Sequence, residues 1–81
     1  MYVEIITPEK RVFAGEALQV IAPGSEGSFE VLPQHASLIS VLQAGNVTVK
    51  TKEGVQTFAI QGGVAEVLNN QITLLTEALV N

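Results

Sequence analysis

The chain has 81 residues and a mass of 8.6 kDa, the size of one small domain that buries roughly 60% of its unfolded surface. Its composition is 47% hydrophobic, 15% charged and 5% aromatic, with no Cys and no Trp. That excludes disorder, a disulfide scaffold, a thiol nucleophile and cysteine-ligated zinc or iron–sulfur. Eight acidic against four basic residues give a net charge of −4. This is a poor footprint for nucleic acid or anionic lipid, and it favours a cytosolic domain with protein partners.

The opening Met1-Tyr2-Val3-Glu4-Ile5 shows neither a basic start nor an apolar stretch of signal-peptide length. The longest hydrophobic run is three residues, as in Val20-Ile21-Ala22 and Ala78-Leu79-Val80, against about 20 for a membrane span. Membrane association is therefore expected only through a partner. Gly and Pro punctuate the chain, and the segments between them are rich in Val, Ile and Thr, which suit a pleated, half-buried surface.

In chain order, Val3–Thr7, Arg11–Phe13, Ala17–Ala22 and Ser28–Leu32 read as strands. His35–Gln43 is open between a short helix and a strand, since Ala36, Ile39 and Leu42 share a helical face while Pro33 and Gly45 bracket either element. Val47–Thr51 alternates apolar and polar residues, and after Glu53-Gly54 the run Val55–Gln61 returns as a hairpin. Asn69-Asn70, a pair that tolerates positive φ, separates Val64–Leu68 from Gln71–Thr76 as a second hairpin. Gly62-Gly63 reads as a sheet corner, and Tyr2, Phe13, Phe29 and Phe58 as core or corner rings. The expectation is an all-β domain over residues 1–81, a small sandwich of two packed sheets with about nine to ten short strands.

Catalytic chemistry is nearly absent. His35 is the single histidine and there is no aspartate, so a Ser-His-Asp triad is impossible. Ser-His-Glu is formally available from Ser25, Ser28, Ser37 or Ser40 but has no supporting motif. Glu26 and Glu30 read as a solvated edge. Pro23-Gly24-Ser25-Glu26-Gly27 reads as a tight turn, because it lacks the lysine and long helix of a phosphate loop. His35 reads either as a surface or capping residue or as a contact residue on a loop stiffened by Pro33. Lys50 and Lys52 suit a solvated edge that resists aggregation. No cofactor, metal or nucleic acid is expected.

The order of these segments resembles one family along the whole chain, the amino-terminal β-sandwich domain of the epsilon subunit of F-type ATP synthase. The matching stretches are Ile6-Thr7-Pro8-Glu9, Val12-Phe13-Ala14-Gly15-Glu16, Ala22-Pro23-Gly24-Ser25-Glu26-Gly27-Ser28-Phe29, Leu32-Pro33-Gln34-His35-Ala36-Ser37-Leu38 and Gln61-Gly62-Gly63-Val64-Ala65-Glu66-Val67, closed by Gln71–Thr76. The resemblance implies two packed five-stranded sheets and a non-catalytic rotor part. It would sit at the foot of the central stalk, clamping the gamma subunit to the c-ring on the cytoplasmic face of a bacterial plasma membrane. It places Ser25, Glu26, Gly27, Ser28 and the Pro33-Gln34-His35-Ala36-Ser37 loop on the ring-facing surface, with His35 and Ser40 also near gamma.

This chain departs from the family pattern at several of those positions. Family members often have an acidic residue at Ser28 and glycine at Glu30, so negative charge toward the ring is expected from Glu30 or Glu26 instead. They usually have glycine at Gln34 and proline at Ser37. Many continue into an inhibitory carboxy-terminal helical hairpin, whereas this sequence ends at Asn81; with Met1 in place, a natural short form is the expectation. Three rival readings stay open. A stand-alone protein-binding sandwich is one. A biotinyl- or lipoyl-type carrier would need Lys52 as its attachment site, but Thr51 is the wrong neighbour. A sugar- or lipid-binding sandwich would lack an aromatic platform.

Overall fold

A computed structural model describes residues 1–77. The expected Ala78-Leu79-Val80 run lies outside the described residues. Nine strands follow one another: β1 (Tyr2–Ile6), β2 (Arg11–Glu16), β3 (Gln19–Gly24), β4 (Gly27–Val31), β5 (Leu38–Leu42), β6 (Gly45–Thr51), β7 (Gly54–Ile60), β8 (Gly63–Leu68) and β9 (Gln71–Thr76). The all-β expectation holds, and the ambiguous His35–Gln43 segment contains strand β5. Its apolar residues at helical spacing lose to Pro33 and Gly45, which leave too few positions for a helix to repay its nucleation.

One layer runs β2-β1-β9-β8-β5, and β3-β6-β7 continues from it, with β4 on the far side of β3. The resemblance implies two five-stranded sheets; the observed layers are five and four strands joined into one curled sheet. The join is on a single edge of β3. Gln19, Val20 and Ile21 pair there with Lys50, Val49 and Thr48 of β6. Further along the same edge Gly24 pairs with Leu42 of β5. The Ser25 N–H donates to the Val41 carbonyl at 2.8 Å, and the Gln43 N–H to the Pro23 carbonyl at 2.9 Å. β5 and β6 are thus one path bent at Gln43-Ala44, and β3 crosses from one layer to the other as it passes them.

Period-two alternation then decides which side chains are inside. β1 buries Val3 and Ile5, β9 buries Ile72, Leu74 and Thr76, and β8 buries Ala65 and Val67. Register sets these in rows: Val3 opposite Ile72 opposite Val67, and Ile5 opposite Leu74 opposite Ala65. From the other layer come Val20, Ala22, Val31, Val47, Val49 and Ile60. Each Val, Leu or Ile among them contributes about 1.5–3 kcal/mol on full burial. Across the mouth of the sandwich, Phe13 of β2 meets Phe58 of β7 edge to face, with centroids 5.8 Å apart at 64°. Phe13, Phe29 and Phe58 pack on the core as expected. Tyr2 does not; it takes an outward-alternating position on β1 and is half-buried.

Both expected hairpins form. Lys52-Glu53 turns β6 into β7 with Thr51 opposite Gly54. Asn69 and Asn70, at φ 52° and 61°, turn β8 into β9. The parallel pairing of β1 with β9 has no local signal in the sequence.

Gly63 opens β8 directly against β9. A Cβ there would lie 2.1 Å from the Leu75 carbonyl oxygen and 2.9 Å from the Thr76 Cα, at φ +153°. These obstacles are backbone and cannot swing aside. Gly15, by contrast, would place a Cβ 3.7 Å from the Phe13 ring, an ordinary contact. Gly63→Ala is therefore expected to lose about 2–4 kcal/mol, a Tm fall of roughly 10–25 °C for a chain this size. Gly15→Ala should be neutral or stabilising by up to about 1 kcal/mol. Thermal melts of the two variants check the opposite signs.

Candidate partner-binding surface

The residues singled out by sequence fall into two groups at opposite ends of β4. At its start, Ser25-Glu26 forms the turn between the paired Gly24 and Gly27, and Ser25, Glu26, Gly27 and Ser28 are all exposed. The Ser25–Val41 backbone bond draws β5 to this turn, so Ser25, Glu26, Gly27 and Ser40 line one shallow concavity. Ser40 is half-buried, and its hydroxyl donates to the Val41 carbonyl at 3.2 Å.

Beyond the end of β4 lies the Pro33–Ser37 loop. β4, whose first two residues Gly27 and Ser28 belong to the first group, has five residues, about 17 Å end to end at 3.4 Å per residue. The loop turns where the His35 N–H donates to the Leu32 carbonyl at 3.1 Å. Gln34 is held at φ 67°, and its N–H donates to Asn70 Oδ1 at 2.8 Å. His35 Nδ1 lies 2.7 Å from the Ala36 carbonyl oxygen; a carbonyl only accepts, so Nδ1 is the donor. Pro33, Gln34, Ala36 and Ser37 are exposed and His35 half-buried. Pro33 borders a separate concavity shared with Leu18 and Lys52.

Glu30 belongs to neither end. It sits midway along β4 opposite Ile21, on the outer face of the four-stranded layer, and accepts a hydrogen bond from the Gln19 side-chain amide. Glu26, at the turn tip, is the acidic residue that joins the Ser25–Ser28 group. The rest of that outer face is largely polar, with Thr48 opposite Thr57 and Lys50 beside Gln19.

The outer face of the five-stranded layer has the opposite character, and sequence reading did not single it out. Ile39 is 74% exposed, Val41 60%, Leu75 54%, Leu68 49% and Val64 39%. Register joins Val41, Val64, Leu75 and Ile6 into one apolar row across β5, β8, β9 and β1. Beside it runs a second row of Ile39, Glu66, Thr73 and Glu4, where Glu4 accepts from Arg11 at 2.9 Å. The signal was present in Leu38-Ile39-Ser40-Val41-Leu42 and Leu74-Leu75, which carry apolar residues on both faces. Such strands are normally covered on both sides.

Among the described residues, no cluster of three or more His, Cys, Asp or Glu side chains could hold a metal ion. Nor, among the described residues, is any helix long and apolar enough to cross a membrane.

Residues 1–81 match the family described as ATP synthase, Delta/Epsilon chain, beta-sandwich domain. The chain belongs to this family. Similar curated proteins are named ATP synthase epsilon chain. That of Leptospira interrogans is 39% identical over 75 residues, covering 93% of this chain and 59% of the relative. That of Caulobacter vibrioides is 42% identical over 77 residues, covering 95% of this chain and 90% of the relative. The fold superposes on a chain from the central stalk and c-ring of the Tetrahymena thermophila mitochondrial ATP synthase with a TM-score of 0.85 at 20% identity, covering 99% of this chain and 65% of that one. The chain thus spans little more than half of the Leptospira epsilon chain and most of the Caulobacter one.

The apolar row lies outside the core, so it should be dispensable for folding. Ile39→Thr and Val41→Thr keep the β-branched shape that suits a strand. Each is expected to change stability by no more than about 0.5 kcal/mol, measured by urea denaturation.

Proposed function

We propose that this chain is a non-catalytic central-stalk subunit of a proton-translocating F-type ATP synthase. In this role it clamps the gamma subunit to the c-ring, so that proton-driven rotation of the ring reaches the catalytic sites that make ATP. It works at the cytoplasmic face of a bacterial plasma membrane and touches the membrane only through the complex. Its partners are proteins; it uses no cofactor and binds no nucleic acid.

The observation that carries this reading is the apolar row Val41–Val64–Leu75–Ile6 on the outside of a domain whose core is already closed. A protein–protein interface of standard size takes about 800 Å² from each partner, roughly a sixth of the 4712 Å² accessible surface here. Interface centres are apolar and poor in charge, with polar groups at the rim. The row supplies such a centre, and Ile39 and Glu66 border it. We assign this face, with Ser40 and the His35 loop at its margin, to gamma. The Ser25–Ser28 turn is assigned to the polar loops of the c-ring, with Glu26 as its acidic group, a charge that chiefly sets orientation and encounter rate.

Size-exclusion chromatography of the chain co-expressed with its cognate gamma tests the assignment. The parent chain should co-elute with gamma. The Ile39→Thr/Val41→Thr double variant should bind gamma at least about tenfold more weakly, the equivalent of 1.4 kcal/mol. Glu26→Lys should co-elute with gamma normally but be poorly retained on assembled c-rings. A parent chain that elutes apart from folded gamma would return the domain to a stand-alone protein-binding sandwich.

A further inference from the structure

The Gln34–His35 loop is held by a contact that reaches it from far along the chain. Gln34 has a left-handed backbone, φ 67°. Outside glycine, that conformation is uncommon and concentrated in Asn and Asp, whose short side chains bond locally. Gln has no such local compensation, so its conformation must be imposed from outside. Two bonds surround it. The His35 N–H closes the turn on the Leu32 carbonyl at 3.1 Å. The Gln34 N–H itself donates to Asn70 Oδ1 at 2.8 Å, across 36 residues of sequence.

Asn70 is in turn fixed from two sides. It occupies the second position of the β8–β9 turn at φ 61°, and its carbonyl accepts from the Tyr2 N–H at 3.1 Å. Its side chain therefore projects from a site tied to both β9 and β1, the two strands that form the parallel pair. The acceptor must be the amide oxygen, because an amide nitrogen carries no lone pair for a backbone N–H.

We propose that Asn70 is the positioning residue of the Gln34–His35 loop: its side-chain oxygen holds Gln34 in the left-handed conformation, and so sets where His35 is presented to the partner. The placement of the loop rests on the geometry alone; the identity of the partner rests on the proposed function above.

Asn70→Gly keeps a residue suited to the turn and removes only the acceptor. Hydrogen exchange at the Gln34 amide, followed by NMR, should accelerate about tenfold, while core amides such as Val67 and Ile72 keep their protection. Affinity for gamma should fall about three- to tenfold, the loss of one hydrogen bond's worth of preorganisation. Asn70→Asp retains an acceptor and should behave as the parent. Adding Gln34→Gly to Asn70→Gly should restore gamma binding, because glycine takes φ 67° unaided; a general loss of stability would not be repaired this way. Unchanged exchange at Gln34 in Asn70→Gly overturns the inference whatever gamma does. Faster exchange with undiminished gamma binding overturns it as well, since the loop would then be released without consequence. If the parent chain fails to bind gamma, the proposed function falls, and the exchange data alone decide whether Asn70 holds the loop.

Discussion

The domain depends on the way one edge of β3 is divided between two strands. Residues 19–21 use that edge to pair with β6, and Gly24 uses it to pair with Leu42 of β5. A chain this short cannot afford two independent sheets with four edges to protect. Sharing β3 closes one corner with backbone hydrogen bonds. The opposite corner carries no ladder and is closed by Phe13 against Phe58. Gly24 is part of the constraint: a Cβ there would come within 2.6 Å of the Gly27 carbonyl oxygen and 2.9 Å of the Phe29 ring. The same absence of a side chain lets β4 fold back on β3 and lets Phe29 cover the junction.

Once the corner is set, alternation separates two unlike surfaces. Inward positions are mostly aliphatic in both layers, so the core closes without help from the outer faces. Outward positions are then free to differ. On the four-stranded layer they are mostly polar, as expected of a face that meets water. On the five-stranded layer Val41, Val64, Leu75 and Ile6 line up because β5, β8, β9 and β1 are neighbours in space, although β1 and β9 stand at opposite ends of the chain. The parallel β1–β9 ladder therefore adds Ile6, from the start of the chain, to the three residues that β5, β8 and β9 already align.

This explains what could and could not be read from the sequence. Elements with local causes were legible: the Asn69-Asn70 and Glu53-Gly54 turns, the strands between them, and the backbone crowding at Gly62-Gly63. The family was legible too, because its turns recur in order along the chain. The surface was not, for two reasons. The apolar face is assembled by pairings between separate strands; a segment such as Leu38–Leu42 shows that it is apolar on both sides, but not which residues its outer side chains join. The candidate contact residues, adjacent in sequence from Ser25 to Ser37, straddle a whole strand, and an extended strand carries its two ends apart. For Tyr2, which reads as core or corner, alternation decides against the core: on β1 the buried positions are Val3 and Ile5, and their neighbour turns outward.

The placement of the two groups at the ends of one strand, β4, has a mechanical consequence for the proposed clamp. β4 is an edge strand paired with β3 over its full length, from Val20 opposite Val31 to Gly24 opposite Gly27. Moving either group relative to the rest of the domain means sliding β4 along β3. A slip of one residue would turn the buried Val31 and the half-buried Phe29 out of the core and bring Glu30 and Ser28 in. The resistance to that slip is the burial of two hydrophobic side chains and the exclusion of a carboxylate, and not the hydrogen bonds alone, which re-form in a shifted register. The charged residue on the free edge strand thus serves twice. It keeps β4 from pairing with other chains, and it penalises the one sliding motion that would shift both ends against the rest of the domain.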